Sequence, residues 1–396
     1  MRTISIALLA LVALPGYAQQ DGPLTLNASY ALQTDSNLFR LPSGANTQAL
    51  IGKSSAAEQI GVATVGLRFA TTQSLQKFEV DASLQDYRYQ NFDYLSFTAS
   101  NYSAAWRWSL TPQFTGNVTS KRAETLNSFA DYQGFALRNR RTDTSHRVDG
   151  MFEVAGPWRL LAGASSTERS NEQALVAGGD YRYSGADVGV RYAHASGSHM
   201  SMLVRSNNGS YLNQVVPSAG LYDDGFTQTE TELRLHWAYS GNSVIDAYVT
   251  PFSRSHPHYS QRDFSGLNAG ATWAWAYSGK TRFNTQYARE LAAYATANSN
   301  FSQTDRLRAG VQWLVGPKTQ LAANYGWAQT DYQGTPTAVA ASQRKDTSTE
   351  ISLSLGWEAM QGLTLSTALQ NSSRSSNQAG LDFDSTALTL SAQYSY

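Results

Sequence analysis

Six histidines (His146, His194, His199, His236, His256 and His258) and no cysteine are what the chain offers for nucleophilic or metal chemistry. Without cysteine there is no disulfide, thiol nucleophile or thiolate zinc site. A hydrolytic barrel needs a His and a Ser within hydrogen-bonding reach and a third group orienting the imidazole. None of the six lies in a Tyr-x-His-x-Ser-Asn-Gly-like stretch. His256-Pro257-His258 could hold a metal weakly and Asp223-Asp224 could hold calcium, but two ligands in an exposed loop are more often solvated side chains. The expectation is a non-enzymatic protein with no catalytic residue, metal or cofactor. Lysine plus arginine equal aspartate plus glutamate at 30 each, with no basic run to track phosphates, so no nucleic-acid partner is expected.

The more telling charges recur at every second position within otherwise apolar stretches. Glu230, Glu232 and Arg234 interleave with Thr231, Leu233 and Leu235; Glu350 precedes Ile351, Leu353 and Leu355 in the same way. Arg107, Arg147, Asp149, Arg191, Arg282, Arg306 and Arg308 follow the same parity. Alternation of this kind is the signature of strands with one apolar and one wet face. If the wet faces enclose a lumen, these residues line a pore. With Glu79, Asp81, Glu153, Arg205, Glu290 and Glu358, which share that parity, both signs occur there in similar number, which suits cross-strand pairing or a charged wall that sets selectivity. A mixed wall fits a weakly charged or neutral glycan better than a strongly acidic one. Aromatic residues in the connections, among them Phe39, Phe92, Phe129, Tyr211, Phe226 and Tyr332, could stack on sugar rings or pack over the pore mouth.

The elements that must position these residues can be counted from turn signals. Gly156-Pro157, Ser196-Gly197-Ser198, Ser240-Gly241-Asn242, Gly316-Pro317-Lys318 and Gln361-Gly362 are compact turns. With Thr72-Gln73-Ser74, Thr111-Pro112-Gln113 and Ser278-Gly279-Lys280 they recur roughly every 40 residues. Long polar segments alternate with them, as at Gln33–Ala57, Thr125–Thr142 and Tyr332–Lys345. Short turns on one side and long loops on the other are the asymmetry of outer-membrane barrels. Trp237, Trp313 and Trp357 fall at the strand ends nearest the short turns, as one interfacial girdle should. The count is about 18 antiparallel strands, with 16 possible, in an all-β transmembrane up-and-down barrel.

Arg2, the apolar run Ile4–Leu14 and Gly16-Tyr17-Ala18 have the form of a secretory signal peptide over residues 1–18, leaving 19–396 as a single barrel domain. The apolar run is too short to span a bilayer. The chain closes on Leu388, Leu390, Ala392, Tyr394 and Tyr396, alternating with polar residues. This resembles the last strand of bacterial outer-membrane barrels, whose terminal aromatic residue the assembly machinery reads. The implied location is the outer membrane, with its lipid and that machinery as partners.

One segment is more specific. Asp35, Asn37, Phe39 and Arg40 fit a D-x-N-[LIV]-[FY]-R-[LI] stretch that follows an aromatic strand soon after the signal peptide. The stretch resembles the opening of EpsL-type β-barrel proteins of exopolysaccharide loci associated with exosortase/PEP-CTERM systems, a putative β-barrel porin family. That resemblance implies a barrel that passes a secreted polysaccharide or supports its export, with the polysaccharide and periplasmic export components as partners. The alternatives are a general diffusion porin and a plugged surface-binding barrel.

Overall fold

The structure, a computed structural model, describes residues 23–130, 136–173, 179–213, 223–293, 299–334 and 343–396; the signal-peptide expectation lies outside them. The strands are β1 (Leu24–Asp35), β2 (Glu58–Gln73), β3 (Gln76–Tyr89), β4 (Phe97–Thr111), β5 (Phe114–Leu126) and β6 (Arg140–Ala155). Then follow β7 (Trp158–Asn171), β8 (Tyr181–Ala193), β9 (His199–Tyr211), β10 (Gly225–Ser240), β11 (Ser243–Ser255) and β12 (Phe264–Trp275). The last are β13 (Thr281–Ala293), β14 (Phe301–Gly316), β15 (Thr319–Gln333), β16 (Lys345–Met360), β17 (Leu363–Ser376) and β18 (Phe383–Ser395). Each pairs antiparallel with its neighbours in sequence, and β1 pairs with β18 from Asn27↔Ser395 to Asp35↔Ala387. The sheet is a closed 18-stranded barrel. Closure leaves no strand edge for lipid to meet, which a membrane-spanning sheet requires.

The period-2 pattern sorts the side chains as the physics of a bilayer demands. Leu353, Trp357 and Leu233 lie on the outer face, 57%, 49% and 42% exposed. An apolar surface running round the whole wall would aggregate in water and is at home against hydrocarbon. Trp237, Tyr239, Trp273, Trp313 and Trp357 crowd its turn end. At five of the short turns the register slips by one residue just before the turn, as between Glu153 and Ala155 or Glu358 and Met360. These are bulges that bend the strand into the hairpin, and Gly156 and Gly362 supply the positive φ they need.

The buried apolar clusters lie at the loop end of the barrel, not within the wall. The inner face is unevenly charged. Across β17, β18 and β1, on the turn side of Arg374 and Asp35, it reads Ser366, Gln370, Ser372, then Thr389, Ser391, Gln393, then Asn27, Ser29 and Gln33, all neutral. Across β6 to β10 it carries most of the ion pairs described next.

Candidate functional site

The Asp35–Arg40 stretch is an anchor. Arg40 grips Asp35 bidentately, Nη1 to Oδ1 at 2.9 Å and Nη2 to Oδ2 at 2.8 Å. Ser385 Oγ, on β18, donates to the same carboxylate at 2.6 Å. Asn37 exchanges two hydrogen bonds with the Leu41 backbone and donates a third to the Asp384 carbonyl. Arg40 holds a left-handed backbone, φ 55°, which costs energy for a side chain with a Cβ and persists because these contacts fix it. The result turns loop 1 (residues 36–57) inward at the seam between first and last strands. Phe39 then packs against Phe92 and Phe129 at ring-centroid distances of 4.7 and 4.6 Å.

That cluster also contains Ile60, Tyr89 and Phe97, which register places on the inner face of β2, β3 and β4. Loop 1, loop 2 (residues 90–96) and the described part of loop 3 (residues 127–130 and 136–139) therefore fill one sector of the mouth. Glu58 holds loop 2 in place by accepting the Asn91 and Phe92 N–H groups. Loop 3 reaches across the plug, and its Ala130 carbonyl accepts Arg374 Nη1 of β17 at 2.6 Å. The inward-folded loops match one sequence expectation and correct another. Phe39, Phe92 and Phe129 are 2%, 1% and 7% exposed, so none offers a face for a sugar. Tyr211 and Phe226 pack on each other instead of standing open.

Beside the plug lies a cavity of about 1590 Å³ bordered by strands from β3 to β13. Of the sequence candidates, Arg107, Arg147, Asp149, Arg191, Glu230, Glu232 and Arg234 border it. Arg282, Arg306, Arg308 and Glu350 share the inner face of β13, β14 and β16 but do not border that cavity.

Its wall is banded by linked ion pairs. Arg147 spans β7 to reach Asp187 on β8, Nη1 to Oδ2 at 2.8 Å and Nη2 to Oδ1 at 2.9 Å. Gly163 makes the span possible, since a Cβ there would lie 2.5 Å from Arg147 Nη2. Arg147 also pairs with Asp149 at 3.4 Å, Asp187 with Arg205 at 3.8 Å, and Arg205 with Glu230 at 2.8 Å. Glu232 pairs with Arg234 at 3.1 Å. His236, read from sequence as an interior residue, contacts Asp246 at 2.7 Å and stacks on His199.

The charge balance of this wall departs from the sequence expectation. Ten Lys and Arg residues border the cavity against five Asp and Glu. Parity alone counted every inward position equally. It missed Lys121, Arg141, Arg169 and Arg254, and it included acids such as Glu153 and Glu350 that do not border this space. Glu79, also off the border, pairs with Lys77 and Arg107 at 2.9 and 2.7 Å.

Arg141 is the least satisfied of these cations. It is 5% exposed, its Nε lies within ion-pair range of Asp143 Oδ2 at 2.8 Å, and neither Nε nor Nη1 has a hydrogen-bond partner among the described residues. Asp143 is shared with Arg169 at 2.6 Å, so two guanidinium groups divide one carboxylate. Lys121, Arg191 and Arg254 make no ion pair among the described residues. A buried N–H that has lost water without gaining an acceptor is a standing preference for an anionic or carbonyl oxygen.

Two groups weighed separately in the sequence meet in the loops. Asp223, Asp224 and His258 lie within 4.8 Å of one another. Asp223 Oδ2 already accepts the N–H groups of His258 and Tyr259 at 2.8 and 2.9 Å, while His258 Nδ1 lies 3.0 Å from Oδ1. Burial opposes the charge on Asp223, but the His258 ring and the two N–H groups outweigh it and hold the carboxyl down to about 2. The hydrogen bond to Asp223 in turn raises His258. This is a clasp between Asp223-Asp224, the described end of loop 5 just before β10, and loop 6 (residues 256–263), with the Asp223 lone pairs spent on the clasp.

The fold is that of an outer-membrane porin. Pseudomonas aeruginosa OccK1 (OpdK) is 13% identical, with 94% of this chain and 99% of that chain covered and a TM-score of 0.51. P. aeruginosa OccK2 (OpdF), solved with glucuronate, is 13% identical over 94% and 98%, also at 0.51. A BenF-like porin from P. fluorescens Pf-5 is 14% identical over 94% and 99%, again at 0.51. At such identities the likeness is one of architecture. No family model and no curated protein matches the chain.

Proposed function

We propose that this chain is an outer-membrane diffusion channel favouring small anionic solutes, sugar acids among them. The observation that carries this is the cavity wall, whose bordering charged residues are two to one basic. A low-dielectric wall focuses the field of those cations on the solute path. The glucuronate complex of OccK2, a barrel of the same architecture, is consistent with this solute class. The partners that go with this reading are outer-membrane lipid and the barrel-assembly machinery. The test is flux into vesicles carrying the purified chain, comparing glucuronate with glucose, which is similar in size. Faster glucuronate entry at low salt, with the advantage shrinking as salt screens the wall, supports the proposal. Equal or slower entry would refute it.

A second reading, passage of a secreted polysaccharide, draws on a different observation. On the turn side of Arg374 and Asp35, the inner face of β17, β18 and β1 is a neutral lane of hydroxyl and amide groups, with Ser366 Oγ 2.6 Å from Ser391 Oγ. Such a lane suits a neutral polyhydroxyl chain. The motif behind the family resemblance does not add to it, because Asp35, Asn37, Phe39 and Arg40 are occupied in anchoring loop 1. A maltooligosaccharide series in the same vesicles separates the readings: entry that continues to long oligomers favours the glycan, and a sharp cut-off near small sugars favours the diffusion channel.

A further inference from the structure

The barrel wall is incomplete in one place. β12 and β13 pair only from Trp275↔Phe283 to Ala269↔Arg289, seven residues, whereas the next shortest seams have nine. Yet β12 continues to Phe264 in register with β11, and β13 continues to Ala293 in register with β14. Continued pairing would set Leu267 opposite Leu291 and Gly266 opposite Ala292. Instead the two strands part. Asn268 Oδ1 accepts the Leu291 N–H at 2.8 Å, a side chain doing the work of a backbone carbonyl. Leu291 swings onto Gly266, where a Cβ would lie 2.4 Å from its Cδ2, and packs with Phe252 and Phe264.

The height and lining of this parting indicate what it is for. Leu267 and Tyr287 face lipid beside it, 42% and 37% exposed, and just above them the Tyr287 hydroxyl and Arg289 hold Asp305 on the outer surface. The parting therefore begins where hydrocarbon gives way to headgroups. On the inside, Leu291, Ala292 and Ala293 border the lumen cavity. Arg254 stands at the same spot, its guanidinium 3.9 Å from the Phe226 ring centroid and 5.4 Å from that of Phe264, with no ion pair among the described residues. An apolar throat beside a cation without a carboxylate partner is complementary to an amphipathic anion.

We infer that the parting between β12 and β13 is a side port, stoppered by Leu291, through which the tail of an amphipathic carboxylate passes between outer leaflet and lumen. Its head rests on Arg254 and its chain on Phe252, Phe264 and Leu291. The port rests on the channel proposal, because a lumen that conducts anions is what gives it somewhere to lead. Backbone unpaired at the edge of a bilayer is otherwise avoided, and non-helical openings are tolerated where they line a cavity.

The test uses the full chain in phosphatidylcholine vesicles with a dodecanoate bearing a diazirine at its chain end. After illumination, adducts are mapped by mass spectrometry. The port predicts adducts on the inward residues Phe252 and Phe264. The chain has no cysteine, so Leu267→Cys with Leu291→Cys introduces one oxidisable pair to close the seam. Closure should abolish the inward adducts, leave those on outward Leu369 unchanged, and be reversed by reductant. Arg254→Gln, which leaves the seam alone, should lower inward labelling by about fivefold, the scale of one lost charge-assisted contact, and should not change labelling by a dodecanol analogue. Adducts confined to outward residues, or inward labelling indifferent to both variants, would overturn the port. Glucuronate flux measured on the same vesicles keeps the two proposals apart. Flux without inward adducts sinks the port alone, and inward adducts without flux sink the channel.

Discussion

At the scale of single residues, two arginines with opposite roles make separate predictions. Arg141 is a cavity-bordering cation whose Nη1 has no acceptor among the described residues, so Arg141→Gln should fold normally and weaken anion preference. About a threefold to tenfold fall in the glucuronate-to-glucose flux ratio is expected for one charge in a pore wall. Arg40 is a spent cation, and its partner Asp35 has a side chain 2% exposed. Asp35→Ala takes the carboxylate from that guanidinium, which keeps the Asn37 carbonyl and Ser385 Oγ as acceptors, and leaves the Asn37 N–H without its acceptor. The cost should be about 3 kcal/mol, at the low end for a broken buried pair because Arg40 keeps some contact with water. Urea unfolding of the barrel in detergent micelles measures it, and anion preference should be unchanged. The sequence singled out Asp35, Asn37, Phe39 and Arg40 as a pattern but could not show their task, since Ser385 and Asp384 lie some 350 residues away. Arg141 was invisible for another reason. It sits at the loop end of β6, where parity says nothing about what else fills the space.

At the scale of elements, the strands were the legible part. Strict alternation, short Gly/Pro/Ser turns and tryptophans near those turns each follow from a bilayer outside and water inside, so they survive in a single sequence. The loops obey no period, and the fates of Phe92, Phe129 and Leu291 had to be seen. The loop 5–loop 6 clasp supplies a pH prediction. His258 is raised, so its contribution is full below its ordinary 6.5 and is lost as pH climbs through the folded value. Asp223 is lowered to about 2, so its contribution is full above its ordinary 3.8 and is lost as pH falls through about 2. The clasp should be tightest between pH 3.8 and 6.5. Hydrogen exchange corrected for its intrinsic pH dependence should show the His258 and Tyr259 amides better protected at pH 5 than at pH 8.5. Equal protection, or protection that rises with pH, would contradict the clasp.

At the scale of the molecule, net charge is zero while the cavity is not neutral. Loops 1 to 3 block one sector, and what remains open is bordered by the basic β5–β11 wall, with Lys121, Arg191 and Arg254 left without ion pairs among the described residues. On the proposed reading, selectivity comes from which part of the inner face the plug leaves uncovered. The most direct measurement is the reversal potential of single channels in a planar bilayer under a potassium chloride gradient. The account predicts discrete steps whose zero-current voltage is displaced towards the chloride equilibrium potential, with the displacement diminishing in Arg141→Gln. A membrane without steps, or a displacement towards the potassium equilibrium potential, would contradict it.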